Sequence, residues 1–155
     1  MKIRFLVMDV DGTLTDGKIY MSAEGEMFKA FNIKDGYTIY NLEKVGIIPI
    51  IITGRSSGIV EKRAAELKIV EIHQGVSDKL IKLKEIIQKY NGTLDEVAYI
   101  GDDYNDQECM SACGYSGCPA DAAQAVIEKA DFISNKKGGD GAVRDFVEWI
   151  VSSNT

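Results

Sequence analysis

No apolar stretch in this sequence approaches the roughly 20 residues that a membrane-spanning helix requires. The longest, such as Phe5 to Met8 and Ile47 to Ile52, have the length of strands, so a membrane-spanning protein is not expected. The first apolar run is broken by Asp9 and Asp11, which argues against a secretory leader. Proline occurs only 2 times in 155 residues and no tract is of low complexity, which excludes a disordered or collagen-like chain. Histidine occurs once, as His73, and cysteine three times, as Cys109, Cys113 and Cys118. An odd set of cysteines without an export signal predicts reduced thiols and a cytoplasmic protein. No Cys-x-x-Cys pair is present and His73 is distant in sequence, so a zinc site is not expected. Basic residues are outnumbered, 18 against 24 acidic, and the net charge is −6. The Lys and Arg are dispersed rather than gathered in a stripe, so neither nucleic acid nor an anionic membrane is an expected partner.

What remains is a chain that is 45% hydrophobic and 27% charged, enough to bury a core without staples. Short Ile- and Val-rich runs recur at Ile3 to Asp9, Ile47 to Thr53, Ile69 to His73 and Val97 to Gly101, with a weak last one at Asp131 to Ser134. Helical periods lie between them: Val60, Ala64 and Leu67; Leu80, Leu83, Ile87 and Tyr90; and a closing set from Val143 to Val151. Near-continuous hydrophobic strands separated by amphipathic helices predict an α/β fold, a doubly wound parallel sheet, as one domain over 1–155. The segment from about 16 to 35 breaks the alternation. Two β-forming stretches flank Ser22-Ala23-Glu24-Gly25, which predicts a hairpin flap too short to be a cap domain.

Ligands in open parallel sheets sit at the carboxyl ends of the strands. The first strand ends in Asp9 and Asp11, the second in Thr53-Gly54-Arg55, the third leads to Ser77-Asp78-Lys79, and the fourth ends in Gly101-Asp102-Asp103-Tyr104-Asn105-Asp106. Asp9, Asp11, Asp102, Asp103 and Asp106 thus bring five carboxylates to one edge, where their repulsion calls for a divalent cation. All-oxygen ligation selects Mg²⁺. Mg²⁺ commonly arrives with phosphate, and the Thr53 hydroxyl, the Gly54 N–H and the Lys79 ammonium suit that anion. Lys79 opens a predicted helix, where the dipole mildly disfavours a cation unless an anion is bound.

The strings DVDGTLTDG at 9–17 and ITGR at 52–55, then Lys79, then GDDYND at 101–106, resemble the four ordered motifs of the haloacid dehalogenase superfamily of phosphohydrolases. With the flap, QGVSDK at 74–79 and GGDGA at 138–142, the likeness covers essentially the whole chain and points to the capless subgroup that acts on phosphorylated sugar acids. The resemblance implies Asp9 as nucleophile and Asp11 as general acid and base. It implies Mg²⁺ held by Asp9, the Asp11 carbonyl and Asp102 with Asp103 and Asp106 in support, and the phosphoryl group bound by Thr53, Gly54 and Lys79. It also implies a homotetramer in which the flap closes a neighbour's site. Arg55 and Arg63 are candidates for the sugar carboxylate. An Arg directly after the Thr-Gly pair is similar to the eight-carbon octulosonate branch, whereas Asp140 within GGDGA departs from it, leaving a nine-carbon sialic-type substrate as the alternative. A silent copy of the fold that only oligomerises a sugar-activating enzyme is disfavoured by the retained carboxylates. A receiver domain is disfavoured by motif order, since its adjacent acids would come first. Asp16, Asp35, Asp78 and Asp121 are expected as caps or turn residues, His73 as structural, and the cysteines as small buried hydrophobes.

Overall fold

The structure is a computed structural model and describes residues 2–154. Its elements are β1 (Phe5–Met8), β2 (Tyr20–Ser22), β3 (Gly25–Phe28), α1 (Ile33–Tyr40), β4 (Ile48–Ile52), α2 (Gly58–Glu66), β5 (Glu71–His73), α3 (Lys79–Lys89), β6 (Val97–Ile100), α4 (Gln107–Ala112), β7 (Tyr115–Cys118), α5 (Gln124–Lys129), β8 (Phe132–Ile133) and α6 (Ala142–Ser153). Six strands form one parallel sheet in the order β5-β4-β1-β6-β7-β8, and β2 with β3 forms a separate antiparallel hairpin. The doubly wound α/β expectation is met.

Every residue of β1 is buried, because both faces of the sheet are covered. Leu6 and Met8 point into a core shared with Ile39 of α1, Val60 and Ala64 of α2, and Phe146 and Ile150 of α6. Phe5 and Val7 point the other way, to Leu83 and Ile87 of α3, Met110 of α4 and Val126 of α5. The chain runs outward from β1 through β4 to β5, then returns to β6 on the other side. The crevice between the carboxyl ends of β1 and β6 is therefore the switch point where such sheets bind ligands. Met8 pairs with Ile51 on one side and Ile100 on the other, which brings Asp9 level with the ends of both neighbours.

Two regions differ from expectation. The strand β7 and the short helices α4 and α5 carry no periodic signal. In β7, Ser116 and Gly117 lower strand propensity, and packing accounts for both. A Cβ at Gly117 would run into the Phe146 ring, and the Ser116 hydroxyl donates to Asp131 Oδ2. The flap ends before residue 35, since the Asn32 side chain accepts from the N–H groups of Lys34 and Asp35 and starts α1.

Of the four acids expected to be caps or turn residues, Asp78 and Asp16 act locally, whereas Asp121 and Asp35 reach across the fold. Asp78 caps α3, Asp16 accepts from Lys18 N–H, and Asp121 accepts from Gly138 N–H. Asp35 caps a helix other than its own: its Oδ1 accepts from the Arg144 N–H in the first turn of α6, at 3.0 Å. Its other oxygen is buried without a partner. Burial, with Asp140 and Asp145 adding to it against the caps, pushes the Asp35 carboxyl up to about 6. A carboxyl raised in the folded state stabilises fully below its unfolded pKa and loses that contribution as pH climbs through the folded value. Asp35→Asn keeps the capping oxygen and removes the charge. It should raise stability at pH 8 by about 1–2 kcal/mol, with the gain disappearing toward pH 4, measured by urea unfolding at both pH values.

Candidate active site

The loop after β1 is wound tightly on itself. The N–H groups of Thr13, Leu14 and Thr15 all point to the Val10 carbonyl, and Thr15 Oγ1 accepts from the N–H groups of Gly12 and Gly17. Gly12 sits at φ +88°, and a Cβ there would collide with the Asp102 carboxylate, so the fourth residue of the first motif must be glycine on two counts. The loop after β6 carries Asp102 and Asp103 into a short 3₁₀ turn, Tyr104–Asp106, that folds Asp106 back beneath it.

Asp106 is completely buried and its lone pairs are engaged by four donors. Oδ1 accepts from Lys79 Nζ at 2.9 Å and the Tyr99 hydroxyl at 2.5 Å, and Oδ2 accepts from the N–H groups of Asp102 at 3.0 Å and Asp103 at 3.1 Å. Lys79 Nζ also donates to Asp9 Oδ1, at 3.1 Å. The ammonium thus bridges two acids inside the protein, and although burial opposes its charge, Asp9 and Asp106 hold its pKa above the usual value. Thr13 Oγ1 donates to Asp102 Oδ1 at 3.3 Å.

Carboxylate oxygens of Asp9, Asp102 and Asp106 lie within 4.8 Å of one another. Burial and the charge of Asp106 raise the Asp9 carboxyl against the pull of Lys79. Burial, then Asp9 as hydrogen-bond partner and charge, pushes Asp102 up to about 9. Crowded carboxylates that resist ionisation are stabilised in the charged form by a cation. The donor set is all oxygen, which suits Mg²⁺. Because Asp106 already accepts from four donors, Asp9 and Asp102 are the side chains of the three that could most readily hold such an ion.

A second cluster adjoins the first. Asp11 is half-buried, with Oδ1 2.6 Å from Lys29 Nζ and 3.7 Å from an Arg55 nitrogen. Glu26 of β3 lies 3.0 Å from Lys29 and 3.6 Å from Arg55. Thr53 is buried at the end of β4, with its N–H donating to the His73 carbonyl and its carbonyl accepting from Val76. Gly54 is exposed beside Val76 and Asn105.

Asp9, Asp102, Asp106 and Lys79 are therefore brought into direct contact, and Asp11 and Arg55 into the adjoining cluster. Asp103 is exposed and its carboxylate caps the 3₁₀ turn, so its support is indirect. Arg63 does not converge with Arg55. It pairs with Glu66, lies over the Phe31 ring and presses against Gly36, because α2 turns that position toward α1. His73 is engaged with Glu71 at 2.9 Å, a structural role. The three thiols are unpaired, and burial raises the pKa of each.

Sequence reasoning overlooked Lys29, Glu26 and Tyr99. For Tyr99 a signal existed, since a tyrosine in a fully buried strand needs a partner for its hydroxyl. The GGDGA run packs against the loop after β1 and opens α6. Gly139 N–H donates to the Thr13 carbonyl at 3.1 Å, a Cβ on Gly138 would strike the Gly12 carbonyl, and Gly141 is the N-cap position of α6.

The profile of the haloacid dehalogenase-like hydrolases matches residues 63–146. The 3-deoxy-D-manno-octulosonate 8-phosphate phosphatase of Salmonella typhi is 44% identical over 149 residues, 96% of this chain and 79% of that protein. The crystal structure of the phosphatase of the same name from Yersinia pestis superimposes with a TM-score of 0.94 at 43% identity, over 98% of this chain and 82% of that one. The Moraxella catarrhalis phosphatase, solved with magnesium ion, phosphate ion and KDO, gives a TM-score of 0.94 at 41% identity, over 98% and 87% of the two chains.

The contact between Gly138 and the loop after β1 can be tested alone. Gly138→Ala should cost about 1–3 kcal/mol of stability from overpacking and, by displacing Gly12, lower kcat/KM with an aryl phosphate on the order of 10²-fold. Thermal unfolding and steady-state kinetics on the purified variant measure both.

Proposed function

Because the chain belongs to the haloacid dehalogenase-like hydrolases, we propose that it is a Mg²⁺-dependent phosphatase that cleaves 3-deoxy-D-manno-octulosonate 8-phosphate by way of an aspartyl-phosphate on Asp9. The observation that carries this reading is the junction at the β1–β6 crevice, where Asp9 meets Lys79 at 3.1 Å beside Asp102. The eight-carbon choice draws on the relatives named above and on Arg55 directly after the Thr-Gly pair.

Asp9, Asp102 and the main-chain carbonyl of Asp11 would hold Mg²⁺; when bound, the ion supplies positive charge to the carboxylates and to the phosphoryl oxygens. Lys79 pins one Asp9 oxygen and contributes its own charge to the transferring group, while the Thr53 hydroxyl and Gly54 N–H bind further phosphoryl oxygens. A carboxylate oxygen of Asp9 attacks phosphorus in line, the bond from phosphorus to the sugar oxygen breaks, and Asp11 donates its proton to that oxygen. Water then attacks the phosphorus of the aspartyl-phosphate, giving a proton back to Asp11, and the bond from phosphorus to the Asp9 oxygen breaks to release phosphate and restore the carboxylate. Arg55 is the group we assign to the sugar carboxylate; Arg63 belongs to the scaffold.

The flap exposes Ile19, Met21, Met27 and Phe28. Apolar side chains grouped on so small an element support burial between copies, and we assign a homotetramer in which flaps cover neighbouring sites. The unpaired thiols support a reducing compartment, the cytoplasm.

The deciding experiment is a phosphate-release screen with Mg²⁺ over eight- and nine-carbon sugar-acid phosphates, hexose phosphates and nucleotides. A preference of at least about tenfold in kcat/KM for the eight-carbon substrate, ~1.4 kcal/mol, is expected; an equal or greater rate with the nine-carbon compound would reassign the substrate. Asp9→Asn should abolish turnover with its circular dichroism unchanged. The ion has a readout apart from activity: Mg²⁺ at roughly 100 times its Kd should stabilise the wild type by about 2–3 kcal/mol in thermal denaturation, and Asp102→Asn should remove most of that gain.

A further inference from the structure

We propose that Lys29, from the flap of the same chain, is a positioning residue for Asp11, and that Glu26 and Ser57 fix Lys29 in turn. The inference rests on Asp11 being the proton donor to the leaving oxygen. The Lys29 side chain is only 2% exposed, and its ammonium lies 2.6 Å from Asp11 Oδ1 and 3.0 Å from Glu26 Oε2. A lysine held out of water in this way is costly unless its donors are used, and two carboxylates use them. Glu26 is itself anchored: its Oε1 accepts from Ser57 Oγ at 3.2 Å, and that same Oγ accepts from the Ile59 N–H to cap α2. A continuous line of polar contacts thus runs from the first turn of a scaffold helix through the flap to the acid.

The geometry assigns the two oxygens of Asp11 different duties. Oδ1 is occupied by Lys29. Oδ2 is then the oxygen left clear of Lys29 to face the departing oxygen, and the carboxyl plane is set by a bond from a group that cannot wander. A general acid acts only when its proton lies along the line to the departing oxygen, and such alignment is worth most when that oxygen leaves as a poor anion. Arg55, at 3.6–3.7 Å from both acids and half-exposed, is the looser cation of the pair and is free to turn toward a substrate carboxylate. The flap therefore has a duty at its own chain's site, separate from covering a neighbour's.

The test uses the Mg²⁺-loaded enzyme and a series of substituted phenyl phosphates from p-nitrophenyl to unsubstituted phenyl, read as kcat/KM, which reports leaving-group departure and is blind to hydrolysis of the aspartyl-phosphate. Lys29→Met should lose about tenfold more on phenyl phosphate than on p-nitrophenyl phosphate. Glu26→Gln should change the series in the same direction and by less, and Lys29→Arg should recover part of the loss. A uniform loss across the series, or no change, would overturn the proposal, as would a change confined to KM for the sugar-acid phosphate. If Lys29→Met does not fold, Glu26→Gln decides by the same criterion. Asp11→Asn serves as the reference: a series unaltered in that variant refutes the assignment of Asp11, whereas a steepened series there beside an unaltered one for Lys29→Met refutes only the role of Lys29.

Discussion

The mutual repulsion of Asp9, Asp102 and Asp106 is the constraint around which this molecule is organised. Three carboxylates inside one small volume, two of them nearly or fully buried, would drive a fold apart if each faced only the others. The structure answers with a division of labour. Asp106 receives four donors, from Lys79, Tyr99 and two backbone amides, and so becomes a fixed negative post. Lys79 is shared with Asp9. What is left over is the pair Asp9 and Asp102, whose carboxyls burial and crowding hold back from ionising, and a divalent ion would stabilise their charged forms.

The position of that crevice follows from chain topology. Since β1 is laid down first and its neighbours are added on one side and then the other, the tip of β1 ends up flanked by the tips of β4 and β6. The first motif, the Thr53-Gly54 pair and the acidic loop are distant in sequence and adjacent in space for this reason alone. Glycine does the fine fitting. Gly12 gives way to the Asp102 carboxylate, and Gly138 and Gly139 let the approach to α6 lie against the carbonyls of the first loop.

Much of this is legible in the sequence. Buried strands such as FLVM and IPIII announce themselves by unbroken hydrophobicity, and polar residues at their carboxyl ends mark the site by position. What escaped notice did so for physical reasons. Ser116 and Gly117 belong in β7 because Phe146 and Asp131 demand small and polar neighbours there, and no local pattern records such a demand. Lys29 and Glu26 sit on a hairpin whose placement over the site is a tertiary fact. The surroundings of Arg63 were equally out of reach, since only the packing of α2 on α1 turns it toward Phe31 and Gly36 and away from Arg55.

The central place of β1 has a consequence for how the protein ages and inactivates. Its backbone is hydrogen-bonded on both sides, and the ladder extends to the Asp9 amide, which donates to the Ile100 carbonyl at 3.2 Å. Native proteins fray from their margins inward, and here the margins are β5 and β8, of three and two residues. Amide exchange at Val7, Met8 and Asp9 should accordingly be among the slowest in the molecule. The Asp9 carboxylate sits at the end of the last segment to lose its neighbours, so heat would dismantle the acidic crevice only in step with the collapse of the whole sheet.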